Sequence, residues 1–105
     1  MKSQKERTQE RRERKRQQKE RMWEVFKEIW EERPHYSEIS WTPLGREILS
    51  IYFHHILPKS TWEEAMFDKD NIILLSGDEH TLVENDPTRY EEINKRREKL
   101  KEKYG

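Results

Sequence analysis

FHHILPKSTWEEAMFDKDNIILLSGDEHTLVE, residues 53–84, is the segment in which apolar runs and turn signals alternate most clearly. The stretch Ile48–His55 is rich in β-branched and aromatic residues, and Pro58 ends it, so it is a predicted strand. The apolar run Asn71–Leu75 is a second predicted strand. Because the two strands are close in sequence, we expect an antiparallel ribbon that packs on the helix after it.

The N-terminal third of the chain predicts one long helix. Residues 4–21 contain no apolar side chain apart from the methyl group of a threonine, but Gln, Glu, Lys and Arg all permit a helix. From Met22 onward, apolar residues recur at helical spacing up to Trp30, which predicts one buried face of a helix over about residues 4–32. Pro34 ends it. We expect the whole aromatic stripe to lie in the core.

Two further helices are predicted after the ribbon. Asp78 is the expected N-cap of a helix over Glu79–Glu84, and Asp86-Pro87 is the expected start of the last helix. The predicted fold class is therefore α+β: a small ββα core with a long basic N-terminal helix and a C-terminal helix. We expect residues 1–33 to form the arm and residues 34–105 the main domain.

A net charge of zero hides a strong asymmetry. Of the 22 basic and 22 acidic residues, residues 1–21 hold ten Lys/Arg and four Glu, so the arm carries about +6 and the remainder about −6. A basic arm on an acidic body predicts a nucleic-acid partner, although a solvated or disordered tail would have the same composition. The candidate nucleic-acid contacts are Arg11, Arg12, Arg14, Lys15, Arg16 and Lys59.

Composition excludes several classes of protein. The chain has no cysteine, which excludes disulfides, thiolate zinc ribbons, thiol nucleophiles and iron–sulfur clusters. No run of residues approaches the roughly 20 apolar positions that span a bilayer. The charged N-terminus lacks the apolar centre of a signal peptide. We therefore expect a soluble, cytoplasmic protein with no membrane partner.

Three of the four histidines lie in the ribbon-and-helix region. His54 and His55 are neighbours on a strand, so their side chains should point to opposite faces. His80 and Glu84 are four residues apart on a helix and share a face. His54, His80 and Glu84 could thus meet at one divalent cation, while His55 stays free to act as a base. Buried or exposed structural histidines are the alternative.

The spacing of these residues resembles that of the HNH endonucleases, the ββα-metal nucleases, and in particular small phage-type members. The matching residues are His54-His55 on the first strand, Asn71 at the second strand, and His80 on the helix. Asn71 lies 16 positions after His55, and His80 lies nine positions after Asn71. The resemblance directly covers about a third of the chain.

The resemblance implies a divalent-metal-dependent endonuclease that nicks or cuts DNA by hydrolysis. His54 and His80 would hold the metal, which would be Mg²⁺ or Mn²⁺, with Zn²⁺ or Ni²⁺ as alternatives. His55 would be the general base, and Asn71 would hold the loop and the ring orientation of that base. An inactive HNH-fold module that only binds nucleic acid, and a helical interaction protein with chance histidines, are the alternatives.

One departure from the family concerns its frequent zinc ribbon of two Cys-x-x-Cys pairs. Ser37–Ser40 and Ser76–Glu79 stand at those places, so we expect no zinc ribbon here. The packing that zinc would supply is expected from Trp41, Ile39, Trp62, Phe67 and the helices. The sequence leaves open whether the chain acts alone, as a homodimer, or in a larger phage or mobile-element assembly inside a host cell.

Overall fold

The computed structural model describes residues 3–105 and has an α+β fold, as predicted. Within this range, three α-helices accompany one two-stranded antiparallel ribbon. The helices are α1 (Gln4–Glu32), α2 (Gly77–Asn85) and α3 (Glu91–Tyr104), and the strands are β1 (Phe53–His55) and β2 (Ile72–Leu74). Residues 1 and 2 of the predicted arm lie outside the described part of the chain, and the division into an arm and a domain stays a prediction.

Helix α1 has the predicted length and consists of two different halves. Its N-cap is Ser3, whose hydroxyl accepts a hydrogen bond from the backbone N–H of Glu6 at 3.2 Å. The first half is exposed, whereas Met22, Val25, Phe26 and Ile29 are buried against the ribbon. One part of the predicted stripe differs, because Trp23 lies at the edge of this contact and is 38% exposed.

The ribbon is shorter than predicted. Phe53, His54 and His55 pair with Leu74, Ile73 and Ile72, respectively. The predicted strand over Ile48–His55 is wrong at its start, where Ser50–Tyr52 form a turn of 3-10 helix. The reason is the lack of a pairing partner there: β2 ends at Leu74, and the chain turns at Ser76 into α2.

The ribbon separates two apolar clusters. Strand alternation turns Ile72 and Leu74 toward α1 and turns Ile73 and Leu75 toward α2 and α3. On the first side, Phe53 stacks on Phe26 with ring centroids 4.2 Å apart. The second cluster is completed by a set of side chains from the helices and the loop after β1: Val83, Ile93, Leu100, Ile56, Leu57 and Ala65.

The boundaries of α2 and α3 correct two predictions. The N-cap of α2 is Ser76 rather than Asp78, because Ser76 and Glu79 form a reciprocal capping box. Asp86 does not start α3, since its backbone N–H closes the last turn of α2 on the carbonyl of Leu82 at 2.9 Å. Helix α3 begins at Glu91, with Tyr90 as an N-cap that makes no side-chain hydrogen bond.

A hydrogen-bonded polar cluster joins Ser37–Ser40 to Ser76–Glu79, the two segments that stand where many HNH endonucleases have Cys-x-x-Cys pairs. Buried Ser37 accepts hydrogen bonds from the backbone N–H groups of Ile39 and Ser40, each at 3.2 Å. Burial raises the pKa of Glu79, but hydrogen bonds from Ser37, Ser76 and Ser40 outweigh this and lower it below its usual value. The cluster thereby joins the loop before β1 to the first turn of α2.

The four side chains expected to supply packing here do not all do so. Ile39 and Trp62 pack against the second cluster, and Phe67 packs against the first. Trp41 was wrongly assigned to the core, since it is 70% exposed. It lies in a tight turn with a φ of 60°, and its backbone N–H is bound to the carbonyl of Ser37, which directs the indole outward.

Candidate functional site

The two histidines of β1 point to opposite faces of the ribbon, as strand alternation predicts. His54 faces α2, and its ring centroid lies 5.1 Å from that of His80. His55 faces α1, and its ring centroid lies 6.3 Å from that of Phe26. A single dipeptide thus supplies two imidazoles that cannot bind the same ion.

His54, His80 and Glu84 form a group that could hold a metal ion. One ligand atom from each lies within 4.8 Å of the others. The i, i+4 pair on α2 is tight, with Nε2 of His80 2.8 Å from Oε1 of Glu84. The three-residue set predicted from the sequence therefore converges on one point in the structure.

The hydrogen bond of His80 to the main chain uses Nδ1 and leaves Nε2, the nitrogen that faces His54 and Glu84, free to bind a cation. The Nδ1 atom of His80 is bound to the carbonyl oxygen of Ile51, which can only accept, so Nδ1 carries a proton. In the neutral ring, Nε2 is then a lone-pair donor that faces the Glu84 carboxylate. Two lone pairs at this distance repel unless a proton or a metal cation lies between them, so the pair suits a cation.

His54 is held in the form that binds metals. Burial, followed by the nearby His80, His55 and Arg97, lowers the pKa of His54 to about 4. The ring is therefore neutral at physiological pH, as a ligand must be. Neutral imidazole suits Zn²⁺ or Ni²⁺, whereas the carboxylate suits Mg²⁺ or Mn²⁺ as well, so this mixed set fits a divalent cation without selecting one.

The position at which α2 begins brings His80 next to His54. The Ser76 hydroxyl accepts from the N–H of Glu79 at 3.2 Å, and Oε1 of Glu79 accepts from the N–H of Ser76 at 2.9 Å. This capping box fixes where the helix begins. Because His80 follows directly, its ring is directed back toward Ile51 and His54 from the first turn of α2.

His55 is arranged to keep one nitrogen unprotonated. Its Nε2 atom lies 2.9 Å from the carbonyl oxygen of Met66, so Nε2 donates and Nδ1 bears the lone pair. Burial lowers the pKa of His55 more than the Met66 carbonyl raises it, and Lys59 and His80 lower it further. A neutral imidazole with a fixed tautomer can accept a proton at Nδ1.

Asn71 is fully buried and fastens the loop that leads from β1. Its Oδ1 accepts from the N–H of Leu57 at 2.7 Å. Its Nδ2 donates to the carbonyl oxygens of Leu57 and Ala65, each at 3.1 Å. Because Ala65 precedes Met66, Asn71 also fixes the carbonyl to which His55 is bound. It does not touch the His55 ring itself.

Both histidine faces open into one cleft of about 810 Å³ at the end of the ribbon. Its polar lining consists of His54, His55, His80, Glu84, Lys59, Arg97, Ser50 and Ser60. Arg97 comes from α3 and is held by the carbonyl of Pro87 at 2.7 Å and by Oδ1 of Asn94 at 2.8 Å. The cleft thus combines a candidate metal centre, a neutral base and two cations.

The candidate nucleic-acid residues of the arm lie outside this cleft, on α1. Arg11, Arg12, Arg14 and Arg16 are exposed, and Arg16 pairs with Glu13 at 2.6 Å. A second groove lies beside the cleft, between α1 and the loop after β1. It is lined by Lys15 and Lys19 of α1 and by Lys59 of the loop. The structure therefore brings Lys59 to the histidines, whereas the arm approaches them only through that groove.

Sequence reasoning did not assign two residues to the site. It placed Arg97 in a basic run of the last helix that is usually a solvated face, with contact to phosphate as the alternative, whereas the guanidinium lines the cleft. It placed Trp23 in the core, whereas the indole lines the second groove. Their helical spacing was the only available signal, and spacing does not distinguish the edge of a packed face from its centre.

Comparison of the chain with protein-family models, with curated proteins and with solved structures gave no match. The HNH resemblance therefore depends on the residues and geometry described above. Among residues 3–105, no helix combines the length and the apolar character needed to cross a bilayer.

Proposed function

We propose that this chain is a divalent-metal-dependent HNH-type endonuclease that hydrolyses DNA phosphodiester bonds. One observation carries the proposal. A metal-compatible group of His54, His80 and Glu84 shares a cleft with His55, whose free Nδ1 is fixed by the hydrogen bond to Met66. Hydrolysis of a phosphodiester needs this combination of a base for water and positive charge for the phosphate.

In this mechanism, His55 activates the attacking water. Its Nδ1 accepts one proton from the water as the water oxygen forms a bond to phosphorus, and the bond from phosphorus to the 3′ oxygen breaks. The leaving 3′ oxygen takes up one proton from solvent. The low pKa of His55 keeps Nδ1 free at neutral pH. The hydrogen bond from Nε2 to the Met66 carbonyl stabilises the imidazolium that forms.

His54, His80 and Glu84 would hold the divalent cation. When bound, the cation supplies positive charge that stabilises the phosphate and the leaving 3′ oxygen in the transition state. The carbonyl of Ile51 fixes the tautomer of His80, as expected of a ligand whose remaining ring nitrogen has a main-chain partner.

Three residues position the reaction without transferring the proton. Asn71 holds the loop that carries the Met66 carbonyl, and so acts through His55. Arg97 and Lys59 line the cleft and supply the charge that a phosphate needs on entry. Arg97 is the better oriented of these two cations, because two hydrogen bonds fix its guanidinium.

The DNA partner is supported by the excess of basic residues in the arm, where contacts to phosphates supply affinity rather than sequence choice. Each chain has one cleft of this kind in residues 3–105. A monomer would therefore nick one strand, whereas a homodimer or a larger assembly would cut both.

A supercoiled-plasmid assay tests the proposal. The purified protein is incubated with plasmid in EDTA, Mg²⁺, Mn²⁺, Ni²⁺ or Zn²⁺. We expect conversion to open circles or linear DNA with at least one metal and none in EDTA. DNA binding without cleavage under every metal would instead support the inactive HNH-fold module, and neither binding nor cleavage would support a protein-interaction role.

A further inference from the structure

A second groove of about 570 Å³ runs between α1 and the loop after β1. Lys15 and Lys19 line it at the arm end, and Trp23 lies next to them on the same helix. Lys59 lines the opposite wall. The charged and aromatic groups that border the groove are thus three cations, one partly exposed indole and one carboxylate, that of Glu63.

The groove is continuous with the catalytic cleft. Phe26, Lys59 and Ser60 line both spaces. Lys59 therefore lies at their junction. An extended ligand that enters the cleft can therefore continue along α1 without crossing a wall of the protein.

Helix α1 separates its charges around its circumference. With 3.6 residues per turn, Arg11, Arg12, Lys15 and Lys19 share the face that continues into the groove. The four acidic residues of the arm share the opposite face: Glu6, Glu10, Glu13 and Glu20. Two of these, Glu13 and Glu20, lie beside Arg16, which is off the groove face. The groove side of the arm therefore presents a uniformly positive surface to a polyanion.

Trp23 lies between this cationic face and the junction at Lys59. The indole packs edge-on against Phe26, with ring centroids 6.4 Å apart at an angle of 76°. It is 38% exposed, so part of the ring is available to a ligand in the groove. Aromatic rings next to cations are a usual means of holding a single-stranded segment of nucleic acid, whose bases are free to stack.

We propose that the groove binds the DNA strand that flanks the scissile phosphate, with its phosphates on Lys15, Lys19 and Lys59 and one nucleotide against Trp23. This inference rests on the proposed nuclease function. It assigns the arm a one-sided role: Arg11, Arg12, Lys15 and Lys19 contact DNA, whereas Arg14 and Arg16 contribute less.

The test measures binding of a fluorescent DNA duplex in EDTA, where cleavage cannot interfere, over a range of NaCl concentrations. The double variant Lys15→Gln/Lys19→Gln should weaken binding roughly 10- to 30-fold and should reduce the slope of log K against log salt by about two. The variant Lys27→Gln/Lys95→Gln loses the same charge away from the groove and serves as the matched control. Equal losses in the two variants would overturn the proposal.

Two further variants test whether DNA contacts only the groove side of α1 and whether it contacts the indole of Trp23. Arg14→Gln/Arg16→Gln should lose at least threefold less affinity than Lys15→Gln/Lys19→Gln, and an equal loss would reject a one-sided arm. Trp23→Ala should weaken binding of a fluorescent single-stranded DNA about fivefold or more with an unchanged salt slope. An unchanged affinity would remove the nucleotide contact.

Cleavage of plasmid by the same variants separates this proposal from the nuclease function. If the wild type cleaves and Lys15→Gln/Lys19→Gln cleaves equally well at limiting enzyme, the groove assignment fails and the nuclease stands. If the wild type binds DNA through the groove but never cleaves, the nuclease fails.

Discussion

Asn71 makes two hydrogen bonds to a single residue, Leu57: its Oδ1 accepts from the Leu57 N–H, and its Nδ2 donates to the Leu57 carbonyl. A third bond reaches the carbonyl of Ala65. One fully buried amide thereby satisfies backbone groups at the start and in the middle of the loop between the strands. The loop that positions His55 depends on this side chain.

Replacement of Asn71 by Ala should destabilise the fold strongly. The change leaves the N–H of Leu57 and two buried carbonyls without their partner, which costs roughly 2–4 kcal/mol in the free energy of unfolding. Urea denaturation measures the loss. Asn85→Ala, at an exposed position on α2, is the control and should change stability little. Equal stability of the two variants would contradict the role of Asn71.

Removal of His80 should abolish stabilisation by metal. A divalent ion at a hundredfold excess over its Kd raises the unfolding free energy by about 2.7 kcal/mol if it binds only the folded state. We expect a metal-dependent rise in Tm for the wild type and none for His80→Ala. Thermal denaturation with Mn²⁺, Ni²⁺ or Zn²⁺ measures it.

His35→Gln is the matched control for this experiment. His35 stacks on Trp30 with ring centroids 3.7 Å apart, and its Nε2 is bound to the Trp30 carbonyl. The variant should lower stability in the absence of metal yet keep the full metal-dependent rise. A rise that persists in His80→Ala would place the metal elsewhere.

Asp68 should contribute a pH-dependent part of the stability. Burial raises its pKa, but Lys103 and Tyr104 of α3 and the N–H of Asp70 outweigh burial, so the pKa lies below 3.8 in the folded state. Because the unfolded state binds the proton more tightly, this stabilisation is complete above the unfolded pKa. It is lost as the pH falls from about 4 through the folded value.

The variant Asp68→Asn tests this linkage. It should lower the free energy of unfolding at pH 7 by up to about 1 kcal/mol, because the hydrogen bond with the exposed ammonium of Lys103 at 2.6 Å loses its charge pairing. It should also lose less stability than the wild type as the pH falls below about 4. Asp78→Asn, at an exposed position, should keep the acid-induced loss of the wild type. A wild-type pH profile in Asp68→Asn would contradict the assignment.

The sequence predicted the elements of the fold better than their ends. The apolar face of α1 and the apolar run at β2 were predictable, because the spacing of apolar residues over a short stretch of sequence indicates each of them. The start of β1 depends on how far β2 extends as its partner. The start of α3 depends on Asp86, whose N–H already belongs to α2. Neither competition is visible in the local sequence.

The candidate site shows the same division. Strand alternation and i, i+4 spacing were enough to bring His54, His80 and Glu84 together. The partner of His55 was not predictable, because Met66 contributes only its carbonyl, and any residue there would supply one. Arg97 reaches the cleft only because α3 packs across the second cluster, which is a tertiary relationship.

We infer that His55 is the general base and is not a metal ligand. Plasmid cleavage and metal binding are therefore measured on the wild type, His55→Ala and His54→Ala. We expect His55→Ala to lose cleavage by roughly 10²- to 10⁴-fold while it binds metal as the wild type does, and His54→Ala to lose both. Cleavage by His55→Ala at the wild-type rate, or loss of its metal binding, would show that His55 is not the general base.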